Sequence, residues 1–67
     1  MSAFPFENII LHALPGAAGW EIFGVRTNQR HQEIIATLAA VVTDQEAERL
    51  ANRLAQALAG KPYAEID

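Results

Sequence analysis

The chain has no cysteine, which excludes a disulfide framework and every thiolate metal site. Serine occurs once, at Ser2, so a serine nucleophile paired with a base at a defined spacing cannot be read from it. Charge is scarce: 19% of the residues are Asp, Glu, Lys or Arg, and five cations face eight acids. The resulting net charge of −3 speaks against phosphate-backbone binding, which needs clustered Lys and Arg. No apolar run approaches the ~20 residues of a membrane span. Residues 9–14 are mostly apolar, but the run is short and lacks the basic flank of a secretory leader. The expected location is the cytoplasm.

What is there is apolar, at 51% of 67 residues. A chain of this length makes one domain, here residues 1–67, and buries only about 60% of its unfolded surface. With no disulfide or metal to staple it, self-association or docking on a partner is the expected route to stability.

The clearest local signal lies at 43–60. Thr43 and Glu46 have the spacing of a capping box, and Asp44, Glu46 and Glu48 put negative charge in the first turns. Ala47, Leu50, Ala51, Leu54, Ala55 and Leu58 recur at i, i+3, i+4 and i+7, the signature of one buried stripe. Gly60 and Pro62 stop the run. This spacing predicts a helix over 44–59, with a tail over 60–67 that is expected to pack in part through Tyr63, the alternatives being pairing as an edge strand or staying free to bind.

Upstream, residues 1–7 read as an arm interrupted by Pro5. Residues 8–42 read as strands: one over 8–14, a second over 20–27 led by Trp20, and a third over 33–42. Pro15-Gly16-Ala17-Ala18-Gly19 is a turn between the first two. Half of 33–42 is β-branched, which disfavours a helix there. The predicted fold is α+β: a three-stranded antiparallel meander with one C-terminal amphipathic helix on one face (βββα). The alternative is a β-hairpin followed by two helices.

None of the chemistry-bearing residues forms a specific constellation. His12 sits in an apolar strand with no second catalytic group at a defined spacing. His31 lies in a polar turn, and pairing it with His12 on a metal would need Glu7 or Glu33 beside both. The 15–19 loop lacks the Gly-Lys-Ser/Thr of a phosphate cradle. No catalytic, cofactor or metal residue is assigned, and the chain is read as a non-enzyme.

One helix covers one face of three strands, so the other face is left apolar. The candidate interaction residues are Phe23, Val25, Ile35 and Val41 on that face, Trp20 as an anchor, and Arg26 and Arg30 flanking the polar turn. The expected function is a small, self-associating, dimeric protein-interaction module that regulates or inhibits a larger protein. The alternative is a nucleic-acid-binding transcriptional regulator using Arg49 and Arg53 on the helix. The order of a Trp-led strand, an apolar strand and a Thr-capped Ala/Leu helix resembles small bacterial, plasmid and phage accessory proteins. No motif diagnostic of a family accompanies it, and no functional residue carries over.

Overall fold

The computed structural model describes residues 4–26 and 32–66. Strand β1 (Asn8–Ala13) is followed by a one-turn 3₁₀ segment (Pro15–Ala17), then β2 (Trp20–Val25), β3 (Gln32–Leu38), helix α1 (Asp44–Leu58) and β4 (Ala64–Ile66). The α+β class holds. The first three strands form the expected antiparallel meander, with β1 on β2 and β2 on β3.

The end of the chain differs from the expectation. The helix lies between β3 and β4, and the tail forms a strand parallel to β1, giving a four-stranded sheet in the order β3-β2-β1-β4. The tail is tied down by Tyr63, which packs against the core and feeds Ala64 into register with Ile10. The alternative of a second helix over 33–42 is overturned, because Gln32–Leu38 pairs along β2. That strand is shorter than expected. It ends at Leu38, and Val42 N–H donates to the Ala39 carbonyl at 3.0 Å, which closes a tight turn before the helix.

Helix α1 begins as its sequence dictates. Thr43 is extended, and its Oγ1 accepts from the Glu46 N–H at 3.3 Å. The reciprocal bond of the capping box, from Thr43 N–H to the Glu46 carboxylate, is not made, so one orphan donor rather than two is satisfied locally. At the other end Ala59 and Gly60 both donate to the Ala55 carbonyl at 2.8 Å, with Gly60 left-handed at φ 68°.

The helix meets the sheet along alanines. Ala47, Ala51, Ala55 and Ala59 recur every four residues and are buried against Ile9, Leu11 and Ile22. Leu54 and Leu58 flank this line and are partly buried, whereas Leu50 swings outward and is 40% exposed. With only a methyl group at each contact, the helix backbone approaches the sheet closely, and the bulk of the core comes from the strands.

Phe6 closes the far end of this layer. Its N–H donates to the Leu58 carbonyl at 3.0 Å, and Glu7 N–H donates to Val25 at 2.8 Å. The 4–7 part of the arm is therefore integral to the fold. A Cβ on Gly24 would lie 2.5 Å from the Phe6 ring, so only glycine lets that ring sit under β2.

Candidate interaction surface

Side chains alternate along a strand, so covering one face of the sheet defines the other. Ile9 and Leu11 of β1 and Ile22 of β2 point to the helix and are buried. Asn8, Ile10 and His12 of β1 therefore point to the uncovered side, as do Glu21, Phe23 and Val25 of β2. No element lies over them among the described residues.

On β3 the alternation is broken once. Ile22 pairs with Ala36 and Phe23 with Ile34, which leaves Ile35 as an extra residue in a β-bulge. Ile35, Ala36 and Leu38 all pack toward the helix, and Ile34 and Thr37 face out. Ile34 is 58% exposed and lies beside Phe23 on this face.

The registers assemble one apolar row across the open face: Ile34 beside Phe23, Phe23 beside Ile10, and Ile10 beside Ala64. A polar row runs next to it, in which Thr37 pairs with Glu21 and Glu21 with His12. The His12 ring also leans on Phe23, with centroids 6.1 Å apart. Asn8 and Gln32 bound the patch at the other end, on either side of Val25.

The residues singled out from sequence divide accordingly. Phe23 and Val25 lie on the open face. Ile35 does not: the bulge turns it under Gly24, and Ile34 takes its place. Val41 is 88% exposed but sits in the turn before the helix, off the sheet, because β3 stops at Leu38. Arg26 belongs to the covered side, where its Nε donates to Glu33 at 3.0 Å and its guanidinium lies 4.7 Å from the Phe6 ring centroid. That hydrogen bond and the opposite charges raise the Arg26 pKa and lower that of Glu33. Arg30 lies outside the described residues.

Trp20 is also off the open face. It packs against the core and forms a wall of a cavity of about 420 Å³ at the end of the sheet, together with Leu14, Ala17, Ala40, Val42 and Asp44. Ala17 is left-handed there at φ 54°, a strained conformation for a residue with a Cβ. Ile10, Ile34 and His12 were not singled out for this face from sequence. Phase counting from Ile9 and Leu11 signals Ile10 and His12. No signal marks the bulge that exposes Ile34.

Both sheet edges are poorly suited to adding a strand. β4 has three residues preceded closely by Pro62, and β3 carries the bulge. Arg49 and Arg53 lie exposed on the helix, in a segment that also bears the exposed Glu46 and Glu48. Among the described residues no three metal-ligating side chains converge, and no helix is long and apolar enough to cross a membrane. Compared with known proteins, the chain matches no family, no curated protein and no solved structure.

Proposed function

We propose that this is a non-catalytic protein-interaction module that engages another polypeptide through the open face of its sheet. Such contact is the physical means by which it would regulate or inhibit a larger protein. The observation that carries this reading is the Ile34–Phe23–Ile10 row, apolar, contiguous and without a covering layer. Sheets in stable domains bury an apolar face against a second layer, and a face that lacks one is the place where a partner supplies it. The poor edges support the face over strand addition as the mode of contact.

The test compares the tagged chain with its Ile34→Asp variant as baits. Ile34 is more than half exposed, so the substitution spares the core while placing a carboxylate in the patch. A larger protein held stoichiometrically by the parent and released by Ile34→Asp supports the reading. A protein held equally by both baits removes the open face from it.

A further inference from the structure

We infer that the polypeptide on the open face, in the absence of any other partner, is a second copy of this chain. The two copies stack face to face about a two-fold axis that runs parallel to the strands between β1 and β2. This rests on the reading of the open face as the working surface, and it specifies the occupant and its symmetry.

Strand order and register fix the axis. In β3-β2-β1-β4 the central pair is β1 and β2, so an axis between them is the one that centres the contact. Rotation about it lays each β1 over the partner's β2 and each β3 over the partner's β4. The apolar row Ile34–Phe23–Ile10–Ala64 then meets its own reverse. Phe23 stacks on Ile10 of the other copy, and the protruding Ile34 falls over Ala64, the smallest side chain of the row. Large meets small at the edges, and large meets medium at the centre.

The same rotation treats the polar row. His12 and Glu21 are register partners on neighbouring central strands. The axis therefore brings His12 of each copy over Glu21 of the other, so Glu21, the one anion among the described residues of this face, meets an imidazole in both halves of the pair. A shift of the stack by one strand, which centres the axis on β2, would instead set Glu21 against Glu21 of the other copy, two like charges desolvated and unpaired. An isologous contact of this kind closes after two copies, as homodimers do. Two sheets meeting through inner faces about 10 Å apart is a standard packing, with the sheet twist setting their mean angle near 30°.

The size of the patch sets its strength. Four strands about 4.8 Å apart, three of them about six residues long and β4 only three, give a footprint on the order of 350 Å² per copy. A standard stable interface takes roughly 800 Å² from each partner. The pair is therefore a concentration-dependent dimer that a better-matched partner can displace, which suits a regulator.

Sedimentation equilibrium of the full chain at pH 6, from about 10 μM to about 1 mM, spans the range from weak to modest dissociation constants. A monomer–dimer equilibrium is expected, and Ile34→Asp should weaken it by at least about tenfold. The axis is tested by mixing His12→Glu with Glu21→His. One variant then carries two acids on its face and the other two imidazoles. Native mass spectrometry should find the mixed dimer above its statistical share, with both self-dimers weakened.

A parent chain that is monomeric to about 1 mM overturns the dimer, while the bait experiment on Ile34→Asp still decides whether the face binds a different polypeptide. A dimer unaffected by Ile34→Asp overturns the stack and counts against the open-face reading too. A dimer that Ile34→Asp weakens, but whose charge variants mix statistically, overturns this axis alone.

Discussion

Ile35 reaches beneath Gly24, where a single added methyl would lie 2.8 Å from its Cδ1 and 2.5 Å from the Phe6 ring. Gly24→Ala would ordinarily help a strand by stiffening the unfolded chain. Here it forces a ring and a branched side chain apart, and overpacking of this kind costs about 1–3 kcal/mol. The expected result is a lower denaturation midpoint, partly restored in the double variant Gly24→Ala/Phe6→Leu. An unchanged midpoint in the single variant would mean that the Phe6 ring does not sit under β2.

Ala51 lies at the centre of the buried alanine line, fully shielded from solvent. Ala51→Leu inserts bulk into the buried cluster that the helix shares with Ile9, Leu11 and Ile22, and an unrelieved insertion costs about 1–3 kcal/mol. Leu11→Ala removes bulk from the opposite wall and should cost about 2–5 kcal/mol. Combining them lets the new leucine occupy the vacated space. Urea unfolding should therefore show the double variant less destabilised than the sum of the two singles.

Thr43→Ala removes the one side-chain cap of the helix and should cost about 1 kcal/mol. Thr43→Ser keeps the accepting oxygen and should cost little. Equal losses in the two variants would show that the hydroxyl is not the operative group, which thermal denaturation followed by circular dichroism can decide.

Stability should fall at both ends of the pH scale for identifiable reasons. Glu33 has a lowered pKa in the folded chain because Arg26 donates to its carboxylate and carries the opposite charge. A depressed folded pKa gives stability that is present above the unfolded value and is lost as the pH drops through the folded one. Both groups are exposed, so the effect is small and screened by salt. Arg26→Gln should flatten the acid limb slightly at low ionic strength.

Tyr63 behaves in the opposite sense. Packing against the core, and then the negative charges of Glu48 and Glu65, raise its pKa above 10.0. The neutral phenol is favoured by the fold, so its contribution is complete below pH 10.0 and disappears as the pH rises through the folded value. Tyr63→Phe should remove that part of the alkaline loss. A parent and a variant with superimposable alkaline profiles would show that Tyr63 is not packed as described.

The helix was legible from its own residues, apart from Leu50, which the stripe placed inside and the fold turns outward. Its cap at Thr43, the i+4 repeat of alanines and the stop at Gly60 are local features, and each acts within a turn or two of itself. The turn at 15–19 and the strand character of 8–13 and 20–25 were equally local, since proline, glycine and β-branched side chains restrict their own dihedrals. Phe23 and Val25 followed from their place on β2 once one face was covered.

What lay beyond local pattern depends on pairing between distant segments. The tail holds only three strand residues, and its sequence left packing through Tyr63, edge pairing and a free end all open; it becomes a strand because β1 presents an open edge and Tyr63 anchors the approach. The bulge at Ile35 arises where β3 must match β2 while keeping Ile35 in the gap that Gly24 and Phe6 leave. That one extra residue moves Ile34 outward and Ile35 inward, so the composition of the open face is decided by register, a property of two strands together. Alternation along a single chain has period two and carries no record of a slip that only its neighbour imposes.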